Sequence, residues 1–298
     1  MSASSEGNIF VVILNWNGKD VIEACIDSLL RIPDPGFEII VVDNASSDGS
    51  DEVIERKYPR VELIRNDTNL LFARGNNIGI TRAIERGADY ILLLNNDTEV
   101  DPEFLRNMLS AIKSDSKVGI VGPKILYFDD KKRVWYGGGS FYPLIWIPKH
   151  DNIRKLDGTF EEKRSQTGYV TGCAMLIRRE VVEEIGLLDP SYTIYCEDVD
   201  FCLRARRAGW SCVYEPSARV YHKVSFSSGG GLTPFKLENR IHSTFLLHKR
   251  FKPVWWRIAL FPIHFIAFSI MMLLFVISGR WKLISPALKG VIRVLKSD

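Results

Sequence analysis

Residues 9–121 alternate between short apolar segments and longer segments whose apolar residues recur with helical spacing. The short segments are rich in β-branched residues and almost continuously apolar, which is typical of strands buried on both faces. Helices between successive strands predict parallel βαβ units, with helices covering both faces of one sheet. The predicted strands are 9–14, 39–42, 61–64, 90–94 and 118–121, and the predicted helices are 19–30, 51–57, 76–86 and 102–112.

Asparagine and aspartate residues follow each of the first four predicted strands. They are Asn15 and Asn17, then Asp43 and Asn44, then Asn66 and Asn69, and finally Asn95, Asn96 and Asp97. The carboxyl ends of parallel strands share one edge of the sheet, and ligands of open α/β sheets bind there. These residue types are also ordinary turn formers, which explains any single position. Their recurrence after four strands favours a binding site.

The charge of the chain is unevenly distributed. Residues 236–298 contain 11 Lys and Arg against two acidic residues, so this segment carries +9 and leaves −6 for residues 1–235 of the total of +3. An acidic body argues against nucleic acid as a partner, whereas a basic, apolar tail suits an anionic membrane surface. We therefore expect a catalytic domain over 1–235 and a helical membrane-association segment over 236–298.

The cysteines and the amino terminus indicate the cellular compartment in which the protein folds. The five cysteines are odd in number and form no C-x-x-C pair, which argues against a disulfide scaffold or a zinc site. Only a short polar leader precedes the first predicted strand, so we expect no secretory signal peptide. Both features favour a reducing, cytoplasmic location for the body, and hence the cytoplasmic face of a membrane for the whole chain.

The common phosphate-binding loops are absent from the sequence. Neither G-x-x-x-x-G-K-S/T nor a G-x-G-x-x-G after the first strand occurs. A bound nucleotide diphosphate would need another source of positive charge. A divalent cation held by Asp97 would supply it, because hard cations such as Mg²⁺ prefer oxygen ligands.

Six stretches carry a family resemblance. They are VVILNWNG (11–18), IIVVDNASSDGS (39–50), NLLFARGNNIGI (69–80), YILLLNNDTEV (90–100), TGCAMLIRREVVEEIGLLDPSY (171–192) and YCEDVDFCLRARRAGW (195–210). In order and spacing, over roughly residues 8–230, the chain resembles the family 2 glycosyltransferases, which include bacterial rhamnosyltransferases and galactofuranosyltransferases. The resemblance implies a GT-A fold, with a mostly parallel central sheet flanked by helices, and a nucleotide-diphospho-sugar donor.

The resemblance also implies which residues bind the donor. Asp43 would contact the nucleotide base or ribose, with the Asn15 loop beside it. The other residues expected at the nucleotide site are Asn69, Asn76 and Asn96. The alternative for Asp43 is a strand-end turn residue, with Ser46 or Ser47 capping the next helix.

Asn95, Asn96 and Asp97 stand where the resembled family carries its D-x-D metal motif. Asp97 matches the last carboxylate, and Asn95 replaces the first with a weaker amide ligand. By resemblance, His222 completes the site for Mg²⁺ or Mn²⁺; the alternative is a packed or surface histidine. The glycine-rich segment 225–231 suits a loop that orders over the donor.

The acidic cluster at 197–200 opens a predicted helix. The resemblance assigns Asp198 as catalytic base, and Glu197 as a residue that holds the acceptor or the local geometry. Neighbouring carboxylates raise one another's pKa, which suits a proton acceptor. Acidic residues are also favourable at a helix N-terminus for electrostatic reasons alone, which is the alternative interpretation.

Residues 258–277 are nearly all apolar and long enough to cross a bilayer as a helix. Trp255 and Trp256 precede this segment and Trp281 follows it, as interfacial anchors do. Lys and Arg lie on both flanks and give no orientation. A single span, an in-plane hairpin bent at Pro262 and a buried soluble helix all remain open.

Taken together, these features predict an inverting glycosyltransferase of cell-surface polysaccharide synthesis. The expected donor is dTDP-rhamnose, with UDP- and GDP-sugars open, and the expected acceptor is a hydroxyl of a glycan or lipid-linked sugar. Two alternatives are a transferase acting on polyprenyl phosphate and a non-catalytic sugar-nucleotide-binding subunit of an assembly complex. A homo-oligomer is compatible with the sequence.

Overall fold

The computed structural model describes residues 7–34, 36–224 and 232–296 of the chain, and leaves out the side chains of residues 295 and 296. The described residues form two compact units. The second unit comprises Phe141–Lys149, Pro190–Glu197 and the described residues from Leu232 onward, and the first unit comprises the rest.

The helices and strands follow the predicted alternation through the first hundred residues. The strands are β1 Ile9–Asn15, β2 Glu38–Asp43, β3 Glu62–Arg65, β4 Tyr90–Asn95, β5 Thr98–Val100, β6 Val118–Tyr127, β7 Val134–Tyr136, β8 Gly139–Phe141, β9 Pro148–His150, β10 Ser165–Gln166, β11 Ala174–Arg178 and β12 Ser211–His222. The helices are α1 Ile22–Leu30, α2 Ser50–Lys57, α3 Leu71–Glu85, α4 Phe104–Lys113, α5 Arg179–Ile185, α6 Glu197–Arg207, α7 Pro234–Phe251, α8 Val254–Ile277 and α9 Ile284–Lys296.

The central sheet of the first unit has a parallel half and a mixed half. Strands β3, β2, β1 and β4 are parallel neighbours, as predicted. Strand β11 runs antiparallel between β4 and β6, and β12 pairs parallel with β6 and antiparallel with β5. The strand predicted at 118–121 is therefore longer than expected, and it lies in the mixed half of an α/β sheet.

Close backbone packing sets the register of α3 on the parallel strands. A Cβ added to Gly79 would lie 3.2 Å from the Val42 side chain, and one added to Gly75 would lie 3.0 Å from Asn44 Nδ2. Helix α3 begins at Leu71, five residues before the predicted start. The Asn69 side chain accepts the N–H of Leu71 at 2.8 Å, an Asx-type turn that brings the chain into the helix early.

The second unit contains α7, α8 and α9, with a 3₁₀ turn at Trp281–Leu283. Its buried cluster comprises Leu237, Phe275, Leu283 and Ala287. Of the helices in the described chain, only α8 is long and apolar enough to cross a membrane; its most apolar window has a mean hydropathy of 2.5 and is 6% buried. This helix is therefore not buried within the described chain, and its association with a membrane stays a prediction. Helix α8 also continues through Pro262.

Candidate active site

The aligned ends of β1 and β2 bring Asn15 and Asp43 together. These residues are direct partners in the parallel register. The Asn15 Nδ2 donates to Asp43 Oδ1 at 2.8 Å, and Asn96 Nδ2 donates to Asn15 Oδ1 at 2.9 Å. All three side chains are buried. Three of the predicted nucleotide-binding residues thus form one hydrogen-bond chain at the carboxyl edge of the sheet.

Gly18 lies directly against this chain. A Cβ placed on Gly18 would collide with both Asn15 Oδ1 and Asn96 Nδ2. A side chain at this position would force apart the two groups that hydrogen-bond to each other. Glycine is therefore needed here for space, a requirement that the sequence analysis did not identify.

The loop after β2 folds around the Asp43 carboxylate. The Ser46 hydroxyl donates to Oδ1 at 2.6 Å and the Ser46 N–H donates to Oδ2 at 2.9 Å, while the Ser50 hydroxyl accepts from Asn15 Nδ2 at 2.8 Å. Helix α2 has Gly49 at its N-cap and no side-chain cap. The alternative that Ser46 or Ser47 caps this helix is wrong, because Ser46 is bonded to Asp43.

Asn69 and Asn76 have different surroundings. Asn69 Oδ1 accepts from Asn44 Nδ2 at 3.2 Å, and Asn66 Nδ2 donates to Asn44 Oδ1 at 2.8 Å, so Asn69 belongs to a second amide chain beside Asp43. Asn76 is buried inside α3 and donates to the Phe72 carbonyl at 2.9 Å. Among the described residues, no hydrogen bond joins Asn76 to the Asn15–Asp43 chain, so its role at the nucleotide site stays a prediction.

Three non-glycine residues in these loops have left-handed backbones. They are Asn17, with φ of 48°, Ala45, with φ of 58°, and Leu71, with φ of 64°. For residues other than glycine this conformation costs on the order of 1 kcal/mol or more, and such strain concentrates at functional sites. The strained positions follow β1, follow β2 and open α3, which are the loops at the proposed nucleotide edge.

The pairing of β5 with β12 brings Asp97 and His222 together. His222 lies opposite Thr98 in the register, and its Nε2 is 3.1 Å from Asp97 Oδ1. Burial lowers the pKa of His222, but interactions with Cys173 and Asp97 outweigh it and raise that pKa to about 10. Asp97 Oδ1 is buried with this contact to His222 Nε2, and the buried His222 Nδ1 has no hydrogen-bond partner among the described residues. A carboxylate and an imidazole thus lie side by side, and the second ring nitrogen of the imidazole is available to a ligand.

Asn95 and Cys173 connect this pair to the centre of the sheet. The Asn95 N–H donates to the Cys173 carbonyl at 2.9 Å, and the Asn95 carbonyl accepts from the Thr98 hydroxyl at 2.7 Å. Cys173 is buried, and burial raises the pKa of its thiol. The interaction of Cys173 with His222 makes it a neighbour of the site.

The chemistry of this group fits a divalent cation. In the described part of the chain, no group of three or more His, Cys, Asp and Glu side chains could hold a metal ion unaided. The carboxylate of Asp97 and the Nδ1 nitrogen of His222 are suitable ligand types, and Asn95 supplies an amide at the same strand end. The chemistry of these residues is therefore compatible with a divalent cation.

Asp198 lies at the start of α6, next to the turn that precedes β11. Its Oδ2 accepts the Gly172 N–H at 2.8 Å, and its Oδ1 accepts the Val199 N–H at 2.8 Å. Burial raises the pKa of Asp198 despite these hydrogen bonds. Because Gly172 directly precedes Cys173, the short segment 172–173 contacts both Asp198 and His222. Glu197, the first residue of α6, is also buried.

Trp135 forms an aromatic contact with the proposed metal ligand. Its ring centroid lies 4.6 Å from that of His222 and 4.5 Å from that of His150, both in edge-on geometry. Such packing restricts rotation of the His222 ring. No sequence motif indicated this residue, because β7 reaches the site only through its pairing with β6. The predicted glycine loop, 225–231, lies outside the described residues.

The known proteins most informative about this chain are glycosyltransferases. Residues 10–186 match the family described as Glycosyl transferase family 2. The N-acetylglucosaminyl-diphospho-decaprenol L-rhamnosyltransferase of Mycobacterium tuberculosis is 26% identical over 269 residues, which cover 83% of this chain and 86% of that protein. The dTDP-rhamnosyl transferase RfbF of Shigella flexneri is 23% identical over 250 residues, 82% of this chain and 80% of that one. The resemblance to rhamnosyltransferases is confirmed.

A solved structure establishes the fold. The mannosyltransferase PcManGT from Pyrobaculum calidifontis, in complex with GDP-Man and Mn²⁺, superposes with a TM-score of 0.60 at 15% identity. The match covers 98% of this chain and 88% of that one. The GT-A fold predicted from the motifs is confirmed.

Proposed function

This chain belongs to glycosyl transferase family 2, and from that premise we propose that it transfers rhamnose from dTDP-rhamnose to a lipid-linked acceptor. The general activity, transfer of a sugar from a nucleotide sugar in polysaccharide synthesis, accords with the names of its relatives. The single observation that carries the proposal is the buried Asp97–His222 pair, which lies on the edge that also holds Asp43 and leaves His222 Nδ1 without a hydrogen-bond partner among the described residues.

The nucleotide part of the donor is assigned to the chain formed by Asn96, Asn15 and Asp43. Each carboxylate oxygen has two lone-pair positions, so Asp43 can accept from a base N–H or ribose hydroxyl while keeping its bonds to Asn15 and Ser46. The Asn15 side chain holds that carboxylate in one orientation. Asn69 lies beside it in the second amide chain and would line the same loop.

Asp97 and His222 are the residues assigned to a divalent cation, with Asn95 as a weaker ligand. When bound, Mg²⁺ or Mn²⁺ supplies the positive charge that neutralises a diphosphate leaving group. Trp135 packs edge-on with the His222 ring and restricts its rotation. Since Asn95 lacks charge, we expect the ion to bind weakly until the diphosphate adds its own oxygen ligands.

Asp198 is assigned as the catalytic base. In an inverting transfer it takes the proton from the acceptor hydroxyl while that oxygen attacks the anomeric carbon. The bond from that carbon to the diphosphate breaks in the same step, and the nucleoside diphosphate leaves with the electron pair. The Gly172 and Val199 N–H groups fix the orientation of the carboxylate, and Glu197 stands next to it to position the acceptor.

Helix α8 is assigned to membrane association. Many of its apolar side chains are largely exposed, including Ile258 at 68% and Ile277 at 73%, and such a surface is unfavourable in water. Association with the cytoplasmic face would hold the enzyme where a lipid-linked acceptor is concentrated. The Mycobacterium tuberculosis relative is named for an N-acetylglucosaminyl-diphospho-decaprenol acceptor, which motivates that choice here.

The test is a transfer assay with purified full-length protein. We expect rhamnose transfer from dTDP-rhamnose to a short-chain N-acetylglucosaminyl diphosphate lipid in the presence of Mn²⁺, and loss of transfer in EDTA. Transfer to polyprenyl phosphate itself would instead support the lipid-phosphate transferase. Binding of dTDP-rhamnose without transfer or hydrolysis, across a panel of acceptors, would support the non-catalytic subunit.

A further inference from the structure

The second unit contains a cavity whose residues have no role assigned above. Its volume is about 290 Å³, and it lies between α7, the first half of α8 and the end of α9. Four basic or imidazole side chains of α7 and α8 line it together with aromatic rings: His248, Lys249, Arg257 and His264. Pockets near this size accept the polar head of a ligand but not a whole glycolipid.

Two buried nitrogen atoms in this cavity have no hydrogen-bond partner among the described residues. They are Arg257 Nε and His264 Nε2. Arg257 and His264 lie seven residues apart on α8, so both side chains project from the same face of the helix. A guanidinium is always charged, and a buried donor without a partner is costly. An anionic oxygen ligand would satisfy that donor.

The imidazole of His248, which also lines the cavity, is already held by the protein. His248 Nε2 lies 3.2 Å from the Trp146 carbonyl, and its ring centroid is 5.3 Å from that of His264. Burial lowers the pKa of His248 to about 4, so this imidazole is neutral at physiological pH. The positive charge of the cavity therefore comes from Arg257 and Lys249.

The rest of the lining is apolar and continuous with an exposed apolar surface. Phe245, Trp256 and Phe261 line the cavity, and Phe261 is 63% exposed. The neighbouring residues of α8 present further apolar side chains, including Phe265 at 60% exposure. Basic and aromatic residues at one end of an apolar helix are typical of the interface between lipid head groups and hydrocarbon. A ligand with an anionic head and an apolar chain matches both parts.

We propose that this cavity binds the phosphate or diphosphate group of a membrane lipid, with Arg257 as the principal ligand-binding residue. Charge-assisted hydrogen bonds from a guanidinium to phosphate oxygens are among the stronger polar interactions in proteins. The lipid chain then runs along the apolar face of α8. This inference rests on the proposed function in taking the natural ligand to be the lipid-linked acceptor, but binding itself requires no donor.

The test measures binding by calorimetry to the detergent-solubilised full chain, with farnesyl diphosphate, inorganic diphosphate and farnesol as probes. All titrations contain EDTA, so that no cation can hold a diphosphate at Asp97 and His222. We expect farnesyl diphosphate to bind at least about tenfold more tightly than either other probe, since each lacks one half of the ligand. If farnesol binds as tightly as farnesyl diphosphate, the cavity does not recognise phosphate. If inorganic diphosphate binds as tightly as farnesyl diphosphate, the ligand is not a lipid.

Variants of the arginine make the test specific. Arg257→Gln should weaken farnesyl diphosphate binding by about tenfold, while Arg280→Gln, just beyond the carboxyl end of α8, should leave it unchanged. His264→Gln provides an independent variant if Arg257→Gln fails to fold. Unchanged affinity in a folded Arg257 or His264 variant would overturn the assignment. Because no donor is present, failure here is distinct from failure of the transfer assay.

Discussion

Asp97 Oδ1 and His222 Nε2 lie 3.1 Å apart, although the two residues are 125 positions apart in the sequence. The antiparallel pairing of β5 with β12 makes this possible, since His222 lies opposite Thr98, the residue after Asp97. The loop that carries Asp97 and the strand that carries His222 are thus hydrogen-bonded to each other. The parallel half of the sheet therefore positions Asn15 and Asp43, and the mixed half positions His222.

Substitution of this pair should abolish ion-dependent donor binding. For wild-type protein we expect dTDP to raise the melting temperature only when Mn²⁺ is present, because a ligand that binds the folded state stabilises it. Asp97→Asn and His222→Ala should each remove that shift and lower transfer by about 10²-fold or more. Asp129→Asn, an exposed carboxylate of the same unit, serves as the matched control. A full shift in both site variants would refute the assignment.

Replacement of the proposed base should separate chemistry from donor binding. Asp198→Asn removes the proton acceptor while nearly preserving shape, and should lower kcat by about 10²–10⁴-fold. The dTDP- and Mn²⁺-dependent thermal shift should persist, because the Asn15–Asp43 chain and the Asp97–His222 pair are untouched. Wild-type kcat in a folded Asp198→Asn protein would show that another group accepts the proton.

The pH dependence of transfer follows from the burial of Asp198. A base works only when deprotonated, so kcat/KM should fall as the pH drops through its pKa. Burial raises that pKa above the ordinary carboxyl value of 3.8, so the acidic limb should lie above 3.8. The measurement is kcat/KM against pH for wild type and for Glu184→Gln, a more exposed carboxylate of the same unit. An acidic limb at or below 3.8 would contradict the burial argument.

The parallel half of the site could be predicted from the sequence because its residues follow consecutive strands in equivalent positions. Asn15 and Asp43 are register partners, as the shared strand edge requires. Trp135 and Cys173 could not be predicted as neighbours of His222, because that requires pairings between strands distant in sequence. Strand β6, which carries β7 beside it, pairs with β12, and β11 pairs with β4. Asn76 was expected at a helix start and lies within α3, because the turn at Asn69 begins the helix earlier.

Gly18 offers a test of the Asn15–Asn96 contact that does not alter any polar group. A methyl group at this position collides with both side chains, so Gly18→Ala should cost about 1–3 kcal/mol and lower the melting temperature by several degrees. Nucleotide affinity should fall as well, because Asn15 would no longer hold Asp43. Gly36→Ala, where an added Cβ meets nothing within 4 Å, is the matched control and should change neither quantity.

A charge in the middle of α8 should release the protein from membranes if that helix enters the hydrocarbon. On insertion scales, replacing isoleucine by aspartate at a helix centre costs about 3 kcal/mol, roughly a 100-fold change in partitioning. Ile266→Asp should therefore lose co-sedimentation with anionic vesicles, whereas Leu30→Asp should not, although both side chains are 58% exposed. Complete release of the wild type by 1 M salt alone would instead mean that the Lys and Arg residues of the tail hold it by charge, since salt at about that concentration screens such attraction.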